Sequence, residues 1–226
     1  MTSEWIVIGV SGVTCGGKTT LANQLKEKLV PVYVFHQDKY FYPDDSPKHV
    51  KCRNLDHNNY DILSALDMNQ MYEDVVRTMR GEARAHEHCA ERGGGKWEVP
   101  GKGFIVIEGF TVLNYKPLLE LCNLRYYFVL EYGECVARRV FRVYEPPDTP
   151  GYFEQCVWPE HLRYRAEPCF VISLSKHDIG DIMWSDRAGR ARACARRRGG
   201  GGRRARRRAG GRRRARRDRV TIYITL

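Results

Sequence analysis

Gly12-Val13-Thr14-Cys15-Gly16-Gly17-Lys18-Thr19 fits the pattern Gly-x4-Gly-Lys-[Ser/Thr] at every position. Each residue type in it has a physical task. The glycines let backbone N–H groups turn inward around a polyphosphate, and a following helix N-terminus adds partial positive charge. Lys18 is placed to reach the β- and γ-phosphates, and the Thr19 hydroxyl to ligate Mg2+. The flanks agree with this. Trp5 to Val10 is an apolar run of strand length, as a buried parallel strand requires. From Thr19 onward, Leu21, Leu25 and Leu29 recur at helical spacing on one face. Strand, glycine loop and helix predict an α/β fold of the P-loop NTPase type, three-layered, with a central parallel sheet. The phosphate-binding set is Gly12, Val13, Thr14, Cys15, Gly16, Gly17, Lys18, Thr19 and Thr20.

The 226 residues suffice for one domain with appendages. A formal net charge of +11 would point to a nucleic-acid or membrane partner. Its distribution says otherwise. Residues 187–219 hold 17 Arg and one Asp, a local net of +16, which leaves the remainder at −5. We therefore divide the chain into a folded unit, 1–182, and an Arg/Gly/Ala tail, 183–226, too poor in apolar residues to build a core. Such a tail suits nuclear targeting or RNA attraction; the same composition also arises by translation of GC-rich non-coding DNA. The eight cysteines form no Cys-x-x-Cys pair, as expected of reduced thiols in the cytoplasm. His86-Glu87-His88-Cys89 lies in a Gly-rich stretch without a second ligand pair and is read as loop rather than metal site. Neither a signal peptide nor a membrane-spanning run is expected, because the first core strand begins by about residue 5 and no apolar run is long enough.

Further along, Val32 to Phe35 reads as a second buried strand ending at Asp38, on the carboxyl side where α/β sheets place working residues. Ile62 to Ala65 predicts one helical turn, and Met68 to Met79 a helix with Met71, Val75, Val76 and Met79 on its apolar side. Residues 81–103 are polar and Gly-rich and are expected to be loop. Phe104 to Ile107 is the clearest strand, and Glu108 at its end suits a carboxylate that holds Mg2+. A short helix is expected from Tyr115 to Cys122, a strand from Tyr126 to Leu130, and a basic helix from Glu134 to Val143. That basic helix carries Arg138, Arg139 and Arg142. The prolines of Tyr144-Glu145-Pro146-Pro147-Asp148-Thr149-Pro150 then forbid a continuing helix, and the whole region 138–157 suits a lid over an anionic substrate. Trp158 to Arg165 reads as a helix and Phe170 to Leu174 as a fifth strand. Val220 to Leu226 is strand-like but has no evident partner. Together these residues point to phosphoryl transfer from a nucleoside triphosphate, with Lys18, Mg2+ and the arginines Arg138 and Arg142 gathering phosphate charge. Asp38 and Glu108 are the candidate carboxylates for an alcohol acceptor.

Residues 5 to about 165 resemble nicotinamide riboside kinase, a relative of the uridine kinases. The resemblance is carried by Ser11-Gly12-Val13-Thr14 leading into Gly17-Lys18-Thr19-Thr20, by Gln37-Asp38 with Phe41, by Tyr60-Asp61 and by Ile107-Glu108-Gly109-Phe110. It continues through Asn114-Tyr115-Lys116-Pro117-Leu118, Arg139, Arg142-Val143-Tyr144 and the Pro146-Pro147-Asp148 turn to Val157-Trp158-Pro159. It implies transfer from ATP to the 5′-hydroxyl of nicotinamide riboside, or of nicotinic acid riboside, by a monomer engaged in NAD salvage. By the same resemblance Asp38 is the base, Glu108 lies at Mg2+ and the acceptor hydroxyl, and Asp61 with Arg139 grips the ribose diol. Tyr60 and Tyr144 would enclose the pyridinium ring, whose fixed charge is attracted by an aromatic face. Lys39 stands where the family usually has a second acid, and Ser175-Lys176-His177-Asp178 does not reproduce the family's adenine-side loop. The competing readings are a uridine or cytidine kinase, a nucleic-acid binder acting through the tail, and an inactive truncated product.

Overall fold

The strand that precedes the glycine loop becomes the centre of the sheet. In the computed structural model, which describes residues 4–82, 90–93, 95–167, 173–175 and 221–225, β1 (Trp5–Gly12) lies between β4 (Gly103–Glu108) and β5 (Leu124–Val129), parallel to both. β2 (Val32–His36) runs parallel along the other edge of β4. Three further strands are antiparallel additions: β3 (Ala90–Gly93) on β2, β7 (Thr221–Thr225) on β5, and β6 (Ser173–Ser175) on β7. The order is β3-β2-β4-β1-β5-β7-β6.

Period-two alternation sorts the parallel strands between two cores. Ile8, Val10, Val32, Val34, Phe104, Val106, Tyr126 and Phe128 face one layer, where they meet Leu21, Ala22 and Leu25 of α1 (Lys18–Lys28) and Cys135 of α4 (Tyr132–Arg139). Val7, Phe35, Ile105, Ile107, Tyr127 and Val129 face the other. There they meet Met68, Met71 and Val75 of α2 (Met68–Met79) and Leu118 of α3 (Lys116–Leu121). Helices on both faces make the three layers that the opening motif implied. The Asp67 carboxylate caps α2 by accepting from the Gln70 N–H at 3.0 Å, which sets the start of that helix. α5 (Trp158–Arg165) begins on Pro159 within its first turn, after a single wide turn at Phe153–Val157.

Three expectations change and one is sharpened. The stretch 81–103, expected to be all loop, contributes β3, because the open edge of β2 offers backbone hydrogen bonds that side-chain pattern does not reveal. The expected turn at residues 62–65 is a 3-10 turn, Leu63–Ala65. The basic helix stops at Arg139 rather than Val143. Val140, Phe141 and Val143 are exposed and find no core to hold another turn. Finally, the strand-like C-terminus does have a partner, since Thr221–Thr225 pairs with β5. Of the expected fifth strand, Ser173 and Leu174 lie in β6; the rest of it, the Arg-rich run 187–217 and His86-Glu87-His88-Cys89 lie outside the described residues. Among the described residues no helix is long and apolar enough to cross a membrane.

Candidate active site

The loop after β1 is held by backbone. The Val13 N–H donates to the Phe128 carbonyl at 2.9 Å, and the Gly16 N–H to the Val13 carbonyl at 3.2 Å. Gly12 adopts φ +117°, and a Cβ there would lie 2.2 Å from the Phe128 carbonyl oxygen, so no side chain fits. Gly17, at φ +101°, turns the chain into α1. Lys18 is buried and its ammonium donates to the Val13 carbonyl at 2.9 Å, so the lysine bridges its own loop. Burial lowers its pKa, against the opposing pull of Glu108 and Asp38.

The β2–β4 pairing places His36 opposite Glu108 at the carboxyl edge of the sheet. Glu108 is 4% exposed and accepts hydrogen bonds from both sides, from the Thr19 hydroxyl at 3.1 Å and from His36 Nδ1 at 2.9 Å. Burial works against its charged form, but His36, Lys18 and Thr19 outweigh that and hold its pKa below the usual carboxylate range. Asp38 behaves oppositely. By surface area it opens to the cavity, yet protein crowds the carboxylate from the sides; this partial desolvation, with the nearby Glu108 charge, raises its pKa. Two neighbouring carboxylates are thus pushed apart, one held ionised and one able to take a proton. Thr19 and Glu108 present oxygen donors side by side, which is the donor set a hard cation such as Mg2+ takes.

Opposite this floor stands the lid. Arg139 donates through Nε and Nη2 to the two oxygens of Asp148, at 2.6 and 2.9 Å, and through Nη1 to the Thr14 hydroxyl at 3.1 Å. Its guanidinium lies 4.0 Å from the centre of the Tyr144 ring. The Tyr144 hydroxyl reaches Thr14 Oγ1 at 3.2 Å. One cation therefore fastens the lid aromatic to the glycine loop. On the acceptor side the Tyr60 hydroxyl donates to Asp44 at 3.1 Å, and its ring packs against Phe41, His49 and His57. Asp61 accepts from the Tyr152 hydroxyl at 2.9 Å, and burial pushes its pKa up to about 6.

Loop, floor and lid converge on one cavity of about 310 Å³. Of the residues singled out in the sequence, Thr14, Cys15, Gly16, Gly17, Lys18, Thr19, Asp38, Tyr60, Asp61, Glu108, Arg139, Arg142 and Tyr144 line it. Gly12, Val13, Thr20 and Arg138 are not among its walls. Gly12 and Val13 back the loop, and Arg138 donates to the Cys15 carbonyl at 3.3 Å. Sequence reasoning did not single out His36, the Asp148 partner of Arg139, or the Tyr152 partner of Asp61. The last two lay inside the 138–157 region already noted. His36 had no signal of its own, because only strand register brings it to Glu108.

A glycine loop beneath two carboxylates, under a lid fastened by arginine, defines the class as a P-loop phosphotransferase. No family model matches the chain. It is 41% identical over 161 residues to nicotinamide riboside kinase 1 of Homo sapiens, covering 71% of this chain and 77% of that protein. It is 38% identical over 165 residues to nicotinamide riboside kinase 2 of Mus musculus, covering 72% and 80%. The chain belongs to the nicotinamide riboside kinase family. Similarity to the uridine kinase of Clostridium novyi is lower, 28% over 145 residues, covering 61% of this chain and 67% of that one.

Proposed function

We propose that this protein transfers the γ-phosphoryl group of ATP to the 5′-hydroxyl of nicotinamide riboside, working as a monomer in the cytoplasm. The observation that carries the reading is the convergence, in one cavity, of a phosphate loop, a carboxylate able to accept a proton, and a lid aromatic backed by arginine. The family membership supports the choice of nicotinamide riboside over uridine.

In this reading Lys18 and backbone N–H groups of the glycine loop hold the β- and γ-phosphates, and Arg142 stabilises charge from the lid. Thr19 and Glu108 would hold Mg2+, which neutralises phosphate charge when bound. Asp38 accepts the proton of the acceptor hydroxyl, a role its raised pKa favours. Asp61 and Arg139 address the ribose, and Tyr60 and Tyr144 the cationic ring. The Arg139 guanidinium covers one side of Tyr144, so the pyridinium would use the other.

Release of ADP from ATP with Mg2+ by the full-length protein, comparing nicotinamide riboside, nicotinic acid riboside and uridine, tests this. Turnover favouring the pyridine ribosides is expected. Preference for uridine would overturn the assignment, and absence of turnover with all three in folded protein would remove the kinase activity.

A further inference from the structure

Between Arg139 and Tyr144 the lid has no core of its own. Val140, Phe141 and Val143 are 76%, 88% and 98% exposed, so apolar burial does not set where this segment lies. Its two ends do. Arg139 is buried, Tyr144 is half-buried, and both reach the same atom, the Thr14 hydroxyl oxygen, at 3.1 and 3.2 Å. A guanidinium can only donate. The Thr14 oxygen therefore accepts from Arg139 and keeps a proton and a second lone pair with which to bond the Tyr144 hydroxyl. Asp148, bidentate on Arg139, and the Tyr144 ring, 4.0 Å from the same guanidinium, complete one unit. The other ties to the loop are weaker or stop short of Tyr144. Arg138 donates to the Cys15 carbonyl and Cys135 Sγ to the Thr14 carbonyl, both at 3.3 Å from α4, and the Tyr144 hydroxyl lies 3.8 Å from Cys15 Sγ. On its far side the lid meets the loop that carries Tyr60, where His57 Nε2 lies 3.3 Å from the Pro147 carbonyl.

We propose that Thr14 is a positioning residue that couples the two substrate sites: a triphosphate in the glycine loop fixes the Thr14 hydroxyl, that hydroxyl fixes Arg139 and Tyr144, and each substrate thereby tightens the other. Thr14 belongs to the phosphate loop through its backbone. Through its side chain it holds the two lid residues proposed to grip the ribose and the pyridinium ring. A polyphosphate draws the loop N–H groups toward itself and narrows the orientations open to the Thr14 side chain. The lid residues hung from that hydroxyl are then ordered before the riboside arrives, so the second ligand loses less conformational entropy than it would alone. Linkage makes the effect reciprocal, and the riboside must raise nucleotide affinity by the same factor. Because the exposed side chains of 140–143 do not hold the lid in place, the Thr14 hydroxyl is where this coupling passes.

Calorimetry on the full-length protein gives the Kd of nicotinamide riboside with and without the non-hydrolysable β,γ-imido analogue of ATP and Mg2+. The analogue should tighten nicotinamide riboside by about 5–50-fold in wild type. Thr14→Val keeps the side-chain shape and removes the hydroxyl, and should bring the factor to about 2 or less; Thr14→Ser should restore it. Tyr144→Phe keeps the ring, breaks the same link from the lid side and should also lower the factor. In turnover at saturating ATP, the Thr14→Val loss should fall on KM for the riboside more than on kcat. Amide exchange of lid peptides covering 140–151 is read with the nucleotide analogue alone, which should slow it in wild type and Thr14→Ser but not in Thr14→Val. No tightening in wild type, tightening retained in Thr14→Val or Tyr144→Phe, or no rescue by Thr14→Ser would overturn the proposal. The calorimetric arm rests on the proposed acceptor. If nicotinamide riboside does not bind wild type, that reading fails, and exchange alone decides the coupling: no slowing in wild type, or equal slowing in Thr14→Val, overturns it.

Discussion

Replacing Asp61 by Asn should make the protein more stable at neutral pH while weakening its grip on the acceptor. Asp61 lies against the Tyr152 hydroxyl, and burial pushes its pKa from 3.8 to about 6 despite the opposing charge of Arg139. The native state therefore keeps this proton at pH values where the unfolded chain has released it. Its contribution to stability is fully present below about pH 4, and is lost as pH rises through about 6. A shift of about two units corresponds to ~3 kcal/mol. Asp61 retains partial contact with solvent, so ~3 kcal/mol is a ceiling and about 1–3 kcal/mol is the working range. Asn keeps an oxygen to accept from Tyr152 and carries no charge at any pH. Thermal melts of both proteins should show the variant gaining on wild type as pH rises from about 4.5 to about 7, by about 2–10 °C in Tm. A difference that stays flat, or that shrinks with rising pH, refutes the burial argument. The affinity arm is separate: if the carboxylate grips the ribose, the stabilised variant should bind nicotinamide riboside less tightly.

The other predictions concern the floor and the lid. Asp38→Asn should lower turnover by about 10²–10⁴-fold while ATP binding, read by calorimetry, persists; turnover near wild type would remove Asp38 as base. Tyr144→Ala should weaken nicotinamide riboside more than uridine, by a factor equivalent to about 0.5–2 kcal/mol, and equal losses in KM for both would refute the ring contact. Gly12→Ala places a Cβ 2.2 Å from the Phe128 carbonyl at a left-handed φ, so ATP binding should be lost or the fold destabilised; a variant that melts and binds ATP like wild type would show that the loop can shift.

Local pattern made much of this molecule legible. The glycine loop, the apolar runs of β1, β2, β4 and β5 and the Met-rich stripe of α2 each follow from hydrophobic periodicity and backbone conformation within a few turns of chain. The predicted helix 158–165 matches α5, and 68–79 matches α2, because each side chain there reports its own burial. β3 was not legible in this way, and β7 was legible as strand-like but not in its pairing. Their places in the sheet follow from the open edges of β2 and β5, and the availability of an edge belongs to the assembled sheet.

The site divides along the same line. Sequence alone singled out the groups proposed to carry the chemistry, since Lys18, Thr19, Asp38 and Glu108 are recognisable from spacing and from their places at strand ends. Only the tertiary structure decided how those groups are poised. His36 reaches Glu108 through β2–β4 register, Asp148 closes on Arg139 across the proline turn, and Tyr152 covers Asp61 from more than 90 residues away. Protonation state depends on burial and on neighbouring charge summed over every element packed around a group. Those distances are set by folding, so they cannot be read from residues in a row.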